Sequence, residues 1–258
     1  MTDTTTPPDW QAWQRSWDRQ QEFYLPDREE RFRVMLDTVE ALVGREPKVL
    51  DLACGTGSIT ARVLDRFPGA RTTGVDLDPA LLTLARGTFA DERRAEFLTL
   101  DLRDPNWREA LPHHEYDAVL ASTALHWLPT GELAVLYGRL AAVLRRGGVF
   151  LNVDHMPDPT TPAIDAALHT LDRARRESEK EQGAQDWVAW WQSMAAEPAF
   201  AEVVAERYRI FNDPAQGDHS NDHMQSPSWH TEVLRNGGFR EARTVWSSPL
   251  DAMVLGLR

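Results

Sequence analysis

The sequence has almost none of the residues that build covalent or metal crosslinks. Cys54 is the only cysteine in 258 residues. A single cysteine excludes an internal disulfide and a cysteine-rich zinc site. No apolar run approaches the roughly 18 residues of a membrane-spanning helix, and no charged-then-apolar leader opens the chain. We therefore expect a cytoplasmic protein with no membrane segment and no bound metal.

Basic residues are also few relative to acidic ones. Twenty-eight Lys and Arg against 40 Asp and Glu give a formal net charge of −12. Such a surface repels phosphate backbones, which disfavours a nucleic-acid partner. The 42% hydrophobic and 26% charged content is ordinary for a globular protein, which excludes a disordered or fibrous chain. Ten tryptophans suggest a site or lid lined with aromatic faces.

Short apolar runs alternate with helical stretches through the middle of the chain. Strands separated by helices indicate a parallel sheet covered on both faces. The short connection 247–251 between the last two runs predicts an antiparallel pair. We therefore expect an α/β, doubly wound, Rossmann-like sheet of seven strands. The predicted strands are 48–53, 71–76, 96–100, 117–121, 149–153, 240–246 and 252–257.

Changes in this rhythm predict five segments. They are a disordered tail (1–9), an N-terminal helical cap (10–46), a ligand-binding core (47–156), a helical lid insertion (157–225), and a final helix with the strand pair (226–258). Trp10, Trp13 and Trp17 form one stripe of a helix, which either packs on the domain or helps to close the site. Asp27 with Glu30 predicts a capping box for the second helix.

A glycine-containing turn joins the first strand to the helix after it. The segment runs Asp51-Leu-Ala-Cys-Gly-Thr-Gly-Ser58. In an open parallel sheet, ligands bind outside the carboxyl ends of the strands. Gly55 and Gly57 let the main chain approach a ligand closely because they have no Cβ.

Carboxylates follow the next two strands as well. Asp76 can accept hydrogen bonds from both hydroxyls of a ribose, and Asp101 from an exocyclic amine. Leu77 and Leu102 could hold an adenine ring between them. Each aspartate alone could be a helix cap. Three aspartates at successive strand ends, namely Asp51, Asp76 and Asp101, together predict an adenosine site.

Two other nucleotide-binding motifs are missing. A dinucleotide fingerprint needs a third glycine, where this sequence has Thr60. A P-loop needs Gly-Lys-Ser or Gly-Lys-Thr, which does not occur. The remaining interpretation is an adenosine ligand without a pyrophosphate.

These motifs resemble those of the class I S-adenosylmethionine-dependent methyltransferases. Tyr116–Ser122 is similar to the family's fourth-strand motif and Leu144–Leu151 to its approach to the fifth strand. The run Ala124–Pro129 (ALHWLP) resembles the small-molecule branch that includes trans-aconitate methyltransferase. The resemblance implies that S-adenosylmethionine is the cofactor, bound by Asp51, Ala53, Gly55, Gly57, Asp76, Leu77, Asp101, Leu102 and Ser122. Ala53 departs from the family's first glycine, and we expect it to be tolerated at negative φ.

The implied reaction is methyl transfer to a small organic acceptor through oxygen, nitrogen or carbon. The protein mainly aligns donor and acceptor and excludes water. If the acceptor must lose a proton, His126 is the candidate base; its alternatives are a helix cap or a packed side chain. Trp127, His155 and Tyr24 are candidate acceptor-binding residues.

Two charged segments remain ambiguous. The loop 218–223 contains histidines and aspartates that could hold a metal, but turn-forming composition explains it more simply. Arg173, Arg176 and Lys180 could grip an anionic acceptor, although neighbouring glutamates favour a solvated, salt-bridged face.

Other functions stay open at this point. The site could serve a non-methylating reaction such as cyclisation or isomerisation, or a non-catalytic binding module. A nicotinamide oxidoreductase is disfavoured by the missing third glycine. The oligomeric state, monomer or homodimer, is also open.

Overall fold

The computed structural model describes residues 7–216 and 223–258, which form one seven-stranded sheet with helices on both faces. The strands are β1 (Lys48–Leu52), β2 (Arg71–Asp76), β3 (Ala95–Thr99), β4 (Tyr116–Ser122), β5 (Leu144–His155), β6 (Glu241–Ser247) and β7 (Asp251–Leu257). The α-helices are α1 (Trp10–Tyr24), α2 (Arg28–Leu42), α3 (Ser58–Arg66), α4 (Pro79–Thr88), α5 (Thr130–Val143), α6 (Pro162–Glu181), α7 (Trp187–Ala196), α8 (Ala201–Phe211) and α9 (Pro227–Asn236). Two 3₁₀ helices are Trp107–Ala110 and Leu125–Trp127.

The strand order is β3-β2-β1-β4-β5-β7-β6. β1 to β5 are parallel, and β7 runs antiparallel between β5 and β6. This confirms the predicted doubly wound fold with an antiparallel last pair. The order reverses between β1 and β4, and such a switch point opens a crevice at the carboxyl edge of the sheet.

Successive side chains of each strand point to opposite faces of the sheet and pack into two core layers. Leu50 packs with Tyr137 of α5 and Phe150 on one face, whereas Val49 packs with Met35 of α2 on the other. All five are fully buried. Because both faces are covered, the strands are apolar along their whole length, and this is the pattern that predicted the parallel sheet.

A third apolar cluster holds the tryptophan stripe of α1. The Trp17 ring lies 4.9 Å from that of Trp190 in α7, and Trp13 lies 5.3 Å from Phe200. Edge-to-face contacts of this kind add stability beyond the buried area. The stripe therefore attaches α1 to the helices of the 157–225 segment. The assignment of that segment as a lid remains a prediction.

The helix starts differ from the expected capping. Asp9 caps α1, because its side chain accepts from the Ala12 amide at 2.9 Å. Asp27 makes no side-chain cap on α2, so the predicted capping box is wrong. Its backbone is not in the extended conformation typical of a cap, and its carboxylate instead accepts from Arg31 at 2.6 Å.

None of the helices in residues 7–216 and 223–258 combines the length and apolar character needed to cross a bilayer.

Candidate functional site

A cavity of about 1130 Å³ opens at the carboxyl edge of the sheet. Its walls come from the ends of β1, β2, β4 and β5, together with parts of α1, α2, α6 and α8. Nearly all site residues predicted from the sequence line it. They are Tyr24, Asp51, Ala53, Gly55, Asp76, Leu77, Asp101, Leu102, Ser122, His126, Trp127 and His155.

The turn after β1 is built from left-handed backbone. Ala53, Gly55 and Gly57 have φ of 54°, 53° and 81°. The expectation that Ala53 lies at negative φ is therefore wrong. The tight turn, closed by the Gly57 amide donating to the Cys54 carbonyl at 2.8 Å, holds the alanine in a conformation that favours glycine.

Gly57 is the predicted cofactor residue that does not line the cavity. It precedes α3, and a Cβ there would lie 2.9 Å from the Phe89 ring. Close packing against that ring, together with the positive φ, explains the glycine without a ligand.

Asp51 links the end of β1 to the helix that follows the turn. It is fully buried, and its Oδ2 accepts from the amide and hydroxyl of Thr60 at 2.9 and 2.7 Å. Burial raises the pKa of Asp51 to about 7, although the Thr60 hydrogen bonds oppose the rise. Its Oδ1 has no partner within the described chain.

Asp76 joins the turn to the end of β2. Its Oδ2 accepts from the Gly55 amide at 2.7 Å and its Oδ1 from the Asp78 amide at 2.8 Å. Burial raises the pKa of Asp76 despite these amides. Each carboxylate oxygen has two lone pairs, so both can accept a further hydrogen bond from a ligand in the cavity.

Asp101 is held by a neighbouring arginine. Arg103 donates to both of its oxygens, at 2.9 and 2.7 Å, and these bonds lower the pKa of Asp101. Leu77 and Leu102 supply apolar walls at the same end of the cavity. This end therefore combines main-chain amides, two carboxylates and two leucines.

His126 is positioned by a buried carboxylate that the sequence did not reveal. Its Nδ1 lies 2.6 Å from Asp154 Oδ1, and its amide donates to Oδ2 at 3.2 Å. Burial favours a raised pKa for Asp154, but the charge and hydrogen bond of His126 outweigh it and hold the pKa at about 2. Asp154 is therefore ionised throughout the neutral range.

His155 has a different carboxylate partner. Its Nδ1 lies 2.5 Å from Asp251 Oδ1, and the Asp251 Oδ2 accepts from Arg31 at 2.8 Å. Burial favours a lowered pKa for His155, but the hydrogen bond and charge of Asp251 prevail and raise it. The β5–β7 register places His155 directly opposite Asp251.

The sequence offered little signal for these partners. Asp154 could have been noticed as the neighbour of a strand-end histidine. Arg31 and Asp251 are 220 positions apart and meet only once the fold is formed. A buried arginine, fully shielded here, cannot be distinguished from a surface arginine by helical spacing alone.

Tyr24 and α6 close the opposite side. The Tyr24 hydroxyl accepts from the Trp187 amide at 3.0 Å, and the Arg176 guanidinium lies 5.4 Å from the Tyr24 ring centre. Arg176 and its neighbour Arg175 both line the cavity. Lys180 instead pairs with Asp186. Arg173 donates to the Thr170 hydroxyl at 3.0 Å and does not line the cavity. The three predicted cations, Arg173, Arg176 and Lys180, therefore do not act as one group.

The helix α8 is attached to the start of α4 by a buried ion pair. Arg207 Nε donates to Asp78 Oδ2 at 2.9 Å, and its guanidinium lies 3.8 Å from the Trp191 ring centre. Asp78 also caps α4 through the Ala80 amide at 2.9 Å. This contact fixes α8 over the start of α4.

The candidate metal loop 218–223 lies outside the described residues except for His223. Within residues 7–216 and 223–258, no group of three or more histidine, cysteine or acidic side chains is arranged to hold a metal ion.

Comparison with known proteins gives two kinds of match. Residues 49–148 match the family model of a methyltransferase domain. A trans-aconitate 2-methyltransferase of Escherichia coli O7:K1 is 35% identical over 126 residues, covering 49% of this chain and 42% of that protein. A malonyl-[acyl-carrier protein] O-methyltransferase of Acetivibrio thermocellus is 34% identical over 110 residues, covering 42% of this chain and 36% of the relative. The chain thus spans less than half of either relative.

Solved structures share the fold at lower identity. An O-methyltransferase family protein from Burkholderia thailandensis has a TM-score of 0.57 and 21% identity, over 88% of this chain and 55% of that one. Human N-acetylserotonin methyltransferase, solved with S-adenosylmethionine, has a TM-score of 0.51 and 17% identity. The match covers 82% of this chain and 47% of the human protein. Residues 49–148, which build much of the cavity, thus match a methyltransferase domain, and the solved structures share the fold over most of the chain.

Proposed function

We propose that the chain transfers a methyl group from S-adenosylmethionine to a small organic acceptor bound in the cavity. The observation that carries this proposal is that the predicted adenosine residues and the two histidines line the same cavity. A donor held at one end would face an acceptor held at the other. This arrangement and the match of residues 49–148 to a methyltransferase domain support methyl transfer over a non-methylating reaction or a binding module.

The residues at the first end fit the cofactor. Asp76 has spare lone pairs for the ribose hydroxyls, and Leu77 and Leu102 can flank the adenine. Asp101 is the proposed partner of the adenine amine. The main chain at Ala53 and Gly55, with Ser122, would border the remainder of the molecule. When bound, the cofactor supplies an electrophilic methyl group on a sulfonium.

The second end is the proposed acceptor site. His126, His155, Trp127 and Tyr24 line it. Their contribution is to hold the acceptor in line with the donor and to exclude water, since alignment supplies much of the rate. The acidic net charge of −12 supports a small-molecule acceptor over nucleic acid. We expect the enzyme to act in the cytoplasm as a monomer or homodimer.

The test combines binding with label transfer. Calorimetry with S-adenosylhomocysteine should show one site per chain. Incubation with methyl-labelled S-adenosylmethionine and a panel of carboxylic acids (trans-aconitate among them), phenols, alcohols and amines should label one class. Absence of cofactor binding contradicts the proposal. Product formation without transfer of label supports the non-methylating alternative instead.

A further inference from the structure

Two histidines with separate carboxylate partners face the acceptor end. The ring centres of His126 and His155 lie 5.5 Å apart. Asp154 accepts from the His126 ring at 2.6 Å and from the His155 amide at 2.9 Å. An ionised carboxylate only accepts hydrogen bonds, so the Nδ1 of His126 must carry a proton. The lone pair of a neutral His126 ring is then on Nε2.

His155 is surrounded differently. The charged groups facing it are Asp251 on β7, Asp154 on its own strand, Arg31 on α2 and the His126 ring on the 3₁₀ helix. Asp251 raises the pKa of His155 even though burial lowers it. Asp251 thus favours the doubly protonated form of His155, which can orient a ligand but cannot accept a proton from it.

We propose that Asp154 is the positioning residue that presents Nε2 of His126 as a base, and that the methylated atom of the acceptor carries a proton, as in an alcohol, a phenol or an amine. This rests on the proposed function. The acceptor atom uses its electron pair to bond the methyl carbon, and the carbon–sulfur pair stays on sulfur. The acceptor proton passes to Nε2, and Asp154 balances the imidazolium charge. His155, hydrogen-bonded to Asp251, lies beside this centre.

Nitrogen-15 NMR of the histidine side chains tests the assignment independently of turnover. A pH series on the full chain with S-adenosylhomocysteine should show the neutral form of His126 as the Nδ1–H tautomer and a pKa of His155 raised by Asp251. Signals are assigned with His126→Gln and His155→Gln. Asp154→Asn should shift the neutral form of His126 towards the Nε2–H tautomer. Asp251→Asn should lower the pKa of His155 and leave the His126 tautomer unchanged.

Two results would overturn the proposal. One is an Nε2–H tautomer for His126 in the unmodified protein; this measurement does not depend on the folding of any variant. The other is an Nδ1–H tautomer that persists in Asp154→Asn. These results concern the residues alone, whereas loss of cofactor binding concerns the proposed function.

The class of acceptor has its own readout. Labelled product from the panel should keep its label in alkali, as an ether or methylamine does. Release of labelled methanol identifies a methyl ester; a carboxylate acceptor needs no base, so this result would contradict the role of His126. In the label assay, Asp154→Asn should lower kcat at least 100-fold with little change in the KM for the cofactor.

Discussion

The two ends of the cavity are built in different ways. The adenosine end (Asp51, Gly55, Asp76, Leu77, Asp101 and Leu102) comes from successive strand ends that lie within 52 positions of one another. The proposed acceptor end (Tyr24, His126, Asp154, His155 and Asp251) joins α1, the 3₁₀ helix after β4, β5 and β7. One end is a local motif repeated at strand ends, whereas the other exists only after long-range packing.

This contrast extends to the electrostatics. At the adenosine end, burial raises the pKa of Asp51 and of Asp76. At the acceptor end, histidines and an arginine lower the pKa of Asp154 and of Asp251. Asp51 and Asp76 thus have little cationic compensation, which suits a ligand that brings hydroxyl donors and a positive sulfonium, whereas Asp101 at the same end is paired with Arg103. The second end holds carboxylates already paired with protein cations.

Breaking the long-range framework should produce the largest effect. Arg31 is fully buried and bridges Asp27 and Asp251. Arg31→Leu removes the cation that Asp27 and Asp251 share and leaves the buried Asp251 with only His155, so we expect the free energy of unfolding to fall by about 3–5 kcal/mol. Urea unfolding followed by circular dichroism measures it.

The matched control for this variant lies two residues further along the same helix. Arg33 is 58% exposed and pairs with Glu30 and Asp37 on the surface. Arg33→Leu should change stability little, because exposed pairs contribute little. Equal losses in the two variants would show that Arg31 is not a structural link to the acceptor end.

The pH dependence of stability should separate the two ends by sign. The pKa of Asp51 rises from the ordinary 3.8 to about 7 on folding, so its contribution is full below pH 3.8 and is lost as the pH rises to 7. Between pH 3.8 and 7 this loss lowers the free energy of unfolding, and Asp51→Asn should make that decrease smaller by up to about 4 kcal/mol. Denaturation at a series of pH values between 4 and 8 measures the slope.

The acceptor end supplies the opposite control. The pKa of Asp154 falls to about 2 on folding, so its contribution is full above pH 3.8 and is lost as the pH falls towards 2. Removing the Asp154 carboxylate in Asp154→Asn should therefore flatten the acid limb of the profile below about pH 4, which Asp51→Asn should leave unchanged. If both variants altered the same pH range, the electrostatic contrast between the ends would be wrong.

Cofactor affinity should depend on the adenosine end. Asp76→Ala removes the carboxylate proposed to accept from the ribose, and hydrogen bonds to a charged group are the strong ones. We expect affinity for S-adenosylhomocysteine to fall about 100-fold, or about 2.7 kcal/mol. Calorimetry measures it. Asp91→Ala, on an exposed turn after α4, is the control. Unchanged affinity in Asp76→Ala would remove the ribose assignment.

What the sequence could predict follows the same division. The sheet, its antiparallel last pair and the strand-end residues that line the cavity are readable because strands, turns and strand-end carboxylates are local patterns. The sequence also suggested His126, from the segment after the fourth strand. It could not supply Asp154 and Asp251 as partners, because these depend on the β5–β7 register and on where a 3₁₀ helix places one ring. Nor could it show that Asp27 pairs with Arg31 rather than capping α2.

The smallest expected effect concerns strain in the glycine turn. Ala53 lies at a φ of 54°, a conformation that costs a residue with a Cβ about 1–2 kcal/mol, whereas glycine adopts it freely. Glycine also gains freedom in the unfolded chain, which offsets part of this relief. Ala53→Gly should therefore stabilise the protein by up to about 1 kcal/mol, seen as a higher Tm.

The same substitution in a helix should have the opposite sign. Ala61 lies within α3, where glycine is less favourable than alanine by about 0.5–1 kcal/mol. Ala61→Gly should therefore lower the Tm. If Ala53→Gly also lowered it, the alanine methyl would be making contacts that outweigh the backbone strain. The structure of the adenosine end would then depend on side-chain packing as well as on its main-chain turn. In that respect it would differ less from the acceptor end, which depends on long-range packing.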